Sequence, residues 1–428
     1  MKILYLSIIA IPLLIILVPT IEAPKSSNIL LIVVDDQQYS IMTKENMPTV
    51  YWRIGQQGIT FDNYYVTTGL CCPSRSSMLT GLYAHNHHVW GNTVMENGGA
   101  TLFDDRDTIA TLLSKHGYKT GYFGKYLNDY WRVLQSKPDH VARGWDAWYA
   151  LREGSYFAPE IQQNDLNNKG RLVHYDSSTY TTDLLKDKVI DFISQQKNRP
   201  FFVVFAPFAP HTDITTGMPQ PAPRHQGLCV KMQLPHTPSW NETDISDKPS
   251  FISHLPLISV PNSNYLDALY RNQVCSLKAV DEDIKQITDV LGPSGSKEMW
   301  NTAVIFTSDN GFFMGEHRLT GKYQLYEEAV HVPLLIRYPN VIKHSSVRHD
   351  LVANIDLAPT IADIAGVKME GKVNGKSLVP LFTDTDNPAK TWRDSLLIEQ
   401  HRNGNQSAIK FGNYVYMEHK GSPTSIIK

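Results

Sequence analysis

The chain has 428 residues, 42% hydrophobic and 19% charged, with 40 basic and 42 acidic side chains and a formal net charge of -2. That is long enough for one large domain or two ordinary ones, and too apolar for a disordered protein. The near balance of charge, with a pI of about 6.8, gives no global attraction for nucleic acid or an anionic membrane, so any anion specificity must be local.

The first stretch, MKILYLSIIAIPLLIILVPTIEAP, has one lysine, a long apolar run and a small residue, Ala23, before Pro24. It reads as a signal peptide, 1–23, cut near Ala23. The alternative is a signal anchor, because Ile3 to Val18 is almost long enough to span a bilayer. No basic cluster follows the run, so no stable membrane anchor is expected. Two acceptor triplets, Asn241-Glu-Thr and Asn405-Gln-Ser, fit the secretory route. In an oxidising lumen Cys229 and Cys275 could pair. Cys71 and Cys72 are adjacent and poorly placed to bridge each other.

The predicted elements then follow in chain order. NILLIVVDD (28–36) is a continuous apolar run ending in two acids, as expected of a buried strand. In GLCCPSRSSMLTG (69–81), Pro73 suits a first helical turn and Gly81 a stop. Cys71 would then sit just before a helix N-terminus, where free N–H groups favour an anion, with Arg75 projecting toward the same point. A buried thiol pair in a strand-to-helix turn is the plainer reading. Further strands are expected in GYKTGYFG (117–124), PFFVVFAPFAP (200–210), TAVIFTSDNG (302–311) and HVPLLIRYP (331–339). Between them, Leu185, Val189, Phe192 and Ile193 share one helical face, as do Leu266, Leu269, Leu277, Val280, Ile284, Ile287 and Leu291. Gly292-Pro293 ends the second helix. The Pro-rich stretch 206–262 reads as a long loop system lining a site. Alternating strands and helices predict an α/β sheet covered on both faces.

Asp35 and Asp36 fall where a buried strand should end, the edge at which open α/β sheets bind ligands. Asp309 and Asn310 repeat the arrangement. Four oxygen donors from two strand ends suit a hard cation, Ca²⁺ or Mg²⁺. Solvated acids in two turns are the alternative. HNHH (85–88) lacks the partner cluster that a zinc site requires.

CCPSRSSMLTG resembles the sulfatase signature Cys-x-Pro-Ser-Arg, with Cys71 as its first cysteine and Cys72 at the variable position. LIVVDDQ, GKYLNDY, APHTD, TSDNGFFMGEHRL, GKYQLYEEAVHVPLLIRYP and LVANIDLAPTIADIAG follow the order of that family from about residue 28 to 382. The combination is most similar to the N-acetylglucosamine-6-sulfatase group and its extracellular heparan 6-O-endosulfatase relatives. The resemblance implies an alkaline-phosphatase-like α/β fold, a central mixed sheet flanked by helices, with a catalytic domain over 26–385. Residues 386–428 would be a partial C-terminal subdomain, short compared with the family's and read as truncated.

The resemblance further implies that a formylglycine-generating enzyme oxidises Cys71 to formylglycine, whose hydrate has one hydroxyl to attack sulfur and a second to expel sulfate. Asp35, Asp36, Asp309 and Asn310 would hold Ca²⁺, with the residue-71 side chain near the ion. Arg75 and Lys125 would bind the hydrate and sulfate oxygens, and His211 and Lys322 the sulfate and the leaving oxygen. A poor leaving group and an anionic substrate call for cationic clamps and a proton donor. His85 to His88 would be polar loop residues near substrate, and His317 and Arg318 would line the mouth. Leu127-Asn128 after the lysine, where many arylsulfatases have a histidine, marks the glucosamine-type subgroup. Without the long basic insertion of the endosulfatases, exo cleavage of 6-O-sulfate from N-acetylglucosamine in a sulfated glycosaminoglycan (heparan or keratan sulfate) is expected. The alternatives are a sulfatase of other glycan specificity, a phosphomonoesterase of the same fold, and an inactive glycan-binding pseudoenzyme.

Overall fold

A computed structural model of the chain describes residues 26–165, 167–196, 199–293, 295–383, 392–401, 406–419 and 425–427. The expected signal peptide and the Asn405 acceptor lie outside the described residues. The strands are β1 (Asn28–Val34), β2 (Ile59–Phe61), β3 (Tyr64–Tyr65), β4 (Lys119–Gly124), β5 (Ala147–Leu151), β6 (Glu160–Asn164), β7 (Gly170–His174), β8 (Phe201–Ala206) and β9 (Thr302–Ser308). They continue with β10 (Phe313–Met314), β11 (Thr320–Gly321), β12 (Leu334–Arg337), β13 (Ser346–Arg348) and β14 (Val352–Ala353). Four more, β15 (Ser395–Gln400), β16 (Gln406–Phe411), β17 (Tyr414–His419) and β18 (Ser425–Ile427), form a separate antiparallel sheet.

The main sheet has ten strands in the order β13-β2-β12-β9-β1-β8-β4-β5-β6-β7. Its centre, β9-β1-β8-β4-β5, is parallel, and β12, β6 and β7 run antiparallel to their neighbours. The fold is that of the alkaline-phosphatase-like enzymes, a mixed central sheet with flanking helices and a small antiparallel C-terminal sheet. β1 shows why its sequence is apolar throughout. Ile29, Leu31 and Val33 enter the core on one face, and Leu30, Ile32 and Val34 enter the core on the other.

The helices used below are α1 (Cys71–Thr80), α2 (Ala84–His87), α3 (Ile109–Lys115), α4 (Tyr130–Ser136), α5 (Thr181–Ser194), α6 (Ser250–Ser253), α7 (Val260–Val290), α8 (Lys297–Trp300), α9 (Glu327–Val330) and α10 (Leu357–Ile364). α5 and α7 cover one face with the apolar stripes expected of them, and α3, α4 and α10 cover the other. The four-stranded sheet joins that second core through Leu396, Ile398, Ala408 and Met417.

Two boundaries differ from expectation. α7 begins at Val260, with Pro261 in its first turn, so part of the Pro-rich stretch is helical. Cys71 opens α1 instead of preceding it, and Leu70 is the extended N-cap residue. Gly81 ends α1 in the left-handed conformation, φ 71°, as expected of a glycine stop. The loop that precedes α7 is tied to it by the Cys229–Cys275 disulfide.

Gly124 ends β4 at φ 124°, and a Cβ there would collide with the Ala206 carbonyl of β8. The same carbonyl accepts the Lys125 N–H at 2.8 Å. Gly124→Ala is therefore expected to destabilise the fold by about 3 kcal/mol, from overpacking plus a disfavoured φ. Urea denaturation of the two proteins checks this, and an unchanged midpoint would refute it.

Candidate active site

Four neighbouring parallel strands end side by side, and each delivers a charged or polar group to the same edge. β1 leads into Asp35 and Asp36, β9 into Asp309 and Asn310, β4 into Lys125, and β8 runs through Ala209-Pro210 to His211. The ladder carries on past the strands, because Asp309 N–H donates to the Val34 carbonyl at 3.1 Å and Asp35 N–H to that of Ala209 at 3.2 Å. α1 brings Cys71 and Arg75 over this edge, and β11 brings Lys322.

The charges pair off. Lys125 Nζ lies 2.5 Å from Asp35 Oδ2, Lys322 Nζ 2.5 Å from Asp36 Oδ1, and Arg75 Nε 2.7 Å from Asp309 Oδ2. His211 Nε2 stands 3.5 Å from Asp36 Oδ2, and its Nδ1 donates to the Thr212 carbonyl at 2.7 Å. Lys322 Nζ also reaches Cys71 Sγ at 2.8 Å. Arg75 Nη1 donates to the Lys125 carbonyl at 2.7 Å, so the two cations are held in fixed relation.

Burial is the largest influence on Asp35, Asp36, Arg75, Lys125, His211, Lys322 and the two cysteines. It would raise Asp35, but Lys125, His211 and Arg75 outweigh it and hold the carboxyl below its ordinary range. Asp36 is likewise lowered, against burial, chiefly by Lys322 and His211. The same attractions raise Lys125, Lys322 and Arg75 above their usual values. Burial pulls His211 down, despite Asp36 and Asp35. The Cys71 thiol is pushed far up by burial, and Cys72 up to about 12 for the same reason.

Three carboxylates (Asp35, Asp36, Asp309) therefore face three fixed cations (Arg75, Lys125, Lys322). Such a pocket is neutral, and attracts an anion only when further positive charge joins it. The donor set fits a hard cation. Ligand atoms of Asp35, Asp36, Cys71 and His211 lie within 4.8 Å of one another. Asn310 Oδ1 is buried without a hydrogen-bond partner, and Asp35 Oδ2, although against Lys125, also makes no hydrogen bond. Asp309 differs from its three companions. Its Oδ1 accepts from Asp36 N–H at 3.1 Å and Asn310 N–H at 2.8 Å, and its Oδ2 is taken by Arg75.

The two adjacent cysteines have separate surroundings, and both are free thiols. Cys71 faces the charged cluster, with Sγ 3.6 Å from Asp35 Oδ1. Cys72 belongs to the apolar core, and its N–H donates to Asn92 Oδ1 at 2.9 Å. Asn92 was not evident from sequence, nor was Asn354. The latter accepts from Thr67 N–H at 3.0 Å and donates to Ser74 Oγ at 2.9 Å, bracing both sides of the Cys71 turn.

Several further residues have protein partners of their own. His87 is bonded to Ser77 Oγ at 3.1 Å, and His85 is 2.8 Å from Glu399. Both are thus engaged with protein partners, and neither belongs to the acidic cluster. His317 and Arg318 turn inward. Arg318 donates to the carbonyls of Glu242, Thr243 and Leu255, and His317 pairs with Glu242. The Asn241 acceptor is also committed: its Oδ1 accepts from Ile258 N–H at 2.8 Å and its Nδ2 faces the Ile258 carbonyl at 3.4 Å.

The arrangement is that of an α/β protein with a cluster of paired charges at the carboxyl ends of its parallel strands. The model of the sulfatase family matches residues 27–367, and the chain belongs to that family. It is 35% identical over 388 residues to human N-acetylglucosamine-6-sulfatase, covering 88% of this chain and 68% of that protein. It is 32% identical over 388 residues to a Caenorhabditis elegans extracellular sulfatase Sulf-1 homolog, covering 87% of this chain and 52% of that one. The chain thus spans about half to two thirds of the length of these relatives. A solved structure of a protein in complex with its substrate, D-glucosamine-2-N,6-O-disulfate, has the same fold. Its TM-score is 0.76 at 24% identity, covering 94% of this chain and 90% of that one.

Arg75→Met leaves Asp309 buried with its counter-ion gone. Such a change is expected to cost about 3–5 kcal/mol, read as a fall in the chemical-denaturation midpoint. A variant as stable as the parent would show that the pair carries no net charge burden.

Proposed function

We propose that the protein is a sulfuric ester hydrolase that removes 6-O-sulfate from N-acetylglucosamine units of heparan or keratan sulfate, acting at a chain end. The observation that carries the reading is the convergence of Arg75, Lys125, Lys322 and His211 on the Cys71 side chain and its acidic floor. The relation to N-acetylglucosamine-6-sulfatase supports the sugar.

Within this proposal Asp35, Asp36, Asp309 and Asn310 hold Ca²⁺, which supplies the net positive charge that the paired residues lack. Cys71, converted to formylglycine by the formylglycine-generating enzyme in the secretory pathway, supplies a hydrated aldehyde as the nucleophile. Cys71 Sγ marks where that group stands. Lys125 and Arg75 orient it and bind sulfate oxygens, their positions fixed by Asp35, Asp309 and the Lys125 carbonyl. Lys322 neutralises charge at the sulfate, next to residue 71. His211 keeps one proton on Nδ1 through Thr212, so Nε2 is the nitrogen free to bind or release a proton at the leaving oxygen. Among the described residues no helix is long and apolar enough to cross a membrane. The division into a catalytic domain, 26–385, and a C-terminal subdomain, 386–428, belongs to the same proposal.

Mass spectrometry of the residue 69–81 peptide after secretory expression tests the nucleophile. Cysteine at position 71 unmodified in all of the material would reject it. Cys71→Ala is expected to abolish turnover, whereas Cys72→Ala should lose about 1 kcal/mol of packing and keep activity. For the substrate, kcat/KM should be higher on a terminal glucosamine 6-sulfate than on an internal one, a 2-sulfated uronate or a 4-sulfated galactosamine. Preference for internal sulfate would make the protein an endosulfatase, and preference for either of the last two would reject the sugar.

A further inference from the structure

Gly311 to Lys322 forms a hairpin, β10–β11, that begins at the acidic floor and ends with Lys322 against Asp36 and Cys71. Its turn is fastened to the loop of residues 237–258. Asn241 N–H donates to the Gly315 carbonyl at 2.8 Å, His317 N–H to that of Ser239 at 2.8 Å, and Trp240 Nε1 to that of Met314 at 3.1 Å. His317 and Arg318 both adopt left-handed backbone, φ 52° and 61°. Such conformations persist only where the surroundings impose them.

The His317 ring lies between two carboxylates on two different elements. Nδ1 is 2.5 Å from Glu242 Oε1 of the loop, and Nε2 is 3.6 Å from Glu328 Oε2 of α9. A carboxylate only accepts, and neutral imidazole has one N–H, so the ring can hydrogen-bond Glu242 and also present an N–H to Glu328 Oε2, which is buried without a hydrogen bond, only as the imidazolium. α9 in turn packs on the floor: the Gly311 N–H donates to the Ala329 carbonyl at 2.9 Å, and the Glu328 carbonyl lies against Gly311. One ring therefore links the loop, the hairpin turn and the helix that follows Lys322.

We propose that His317 is a positioning residue for Lys322: its imidazolium locks the hairpin between Glu242 and Glu328, and loss of its proton frees the turn and displaces Lys322 from residue 71. This rests on the reading of Lys322 as a sulfate-binding group. The other charged groups that face the ring set the strength of the lock. From the loop, Lys248 shares Glu242 at 3.2 Å and is itself paired with Asp247. From the hairpin, Glu316 is buried and accepts the Met314 N–H at 2.6 Å, while Arg318 is held by loop carbonyls. Tyr326, before α9, packs its ring 4.6 Å from the imidazole.

Burial opposes the charged imidazole, but Glu328 and Glu242 outweigh it and raise His317 above its usual value. The lock is then complete below the unfolded-state pKa of about 6.5 and is lost as pH rises through the raised folded value. It should appear as an alkaline limb in kcat.

The test is the pH dependence of kcat and KM for an aryl sulfate, using the full chain with residue 71 converted. Glu242→Gln and Glu328→Gln each remove one charge from the ring and should move the alkaline limb to lower pH by about one unit. His317→Gln should abolish that limb and lower kcat about tenfold, with KM changed less, as expected of a misplaced catalytic group. A limb at the parental pH in both glutamine variants, or one retained in His317→Gln, overturns the proposal. Lys322→Ala separates the two readings. If it keeps full turnover, the assignment of Lys322 falls. If it abolishes turnover while the His317 and glutamate variants keep the parental limb, only the lock falls.

Discussion

Everything at this site depends on pairing three buried carboxylates with three cations at the ends of two parallel strands. Asp35, Asp36 and Asp309 are all inaccessible to solvent or nearly so, and burial alone would drive such groups to their neutral form. The counter-charges come from elsewhere in the chain: Lys125 from the next strand but one, Arg75 from α1 and Lys322 from the β10–β11 hairpin. Each cation is itself too deeply buried to be stable without its acid. The sheet edge, the helix and the hairpin therefore hold one another in place through charge, while the apolar cores beneath supply most of the cohesion.

The floor and the rim of the site are held in different ways. The floor is made from backbone that continues the sheet ladder past the last strand residues, as the Asp309-to-Val34 and Asp35-to-Ala209 bonds show. The rim is made from the 237–258 loop and the hairpin turn, joined mainly by side chains such as Trp240, His317 and Arg318. Backbone ladders are insensitive to pH over the range in which an imidazole titrates.

The strands and the two covering helices were legible because burial on both faces writes a continuous apolar run, as in NILLIVV, and a single buried face writes a helical stripe, as in α5 and α7. The positions of Asp35 and Asp309 were legible too, as acids that end such runs at the expected edge, whereas Lys125 and His211 followed only from the family resemblance. Their partners were not legible. Nothing in the local sequence says that Arg75 pairs with Asp309, or that Asn92 caps the amide of Cys72. His317 and Arg318 were expected at the mouth from the family resemblance. The inward turn follows from three free loop carbonyls and from glutamates 75 residues upstream and 11 downstream, which no window of sequence brings together.

Cys71 has no exposed surface, and part of what covers it comes late in the chain. The Asn310-to-Asp36 bond that closes the floor joins residues 274 apart, and Lys322, which touches the thiol, lies 251 residues beyond it. During vectorial synthesis those segments emerge long after the cysteine has done so. Non-local pairing of this kind is also intrinsically slow. Any second protein that must reach the Cys71 side chain consequently has a limited interval, which opens when residue 71 leaves the ribosome and closes when β9 takes its place beside β1. The order in which the chain is made thus acts as a clock for whatever is done to that thiol.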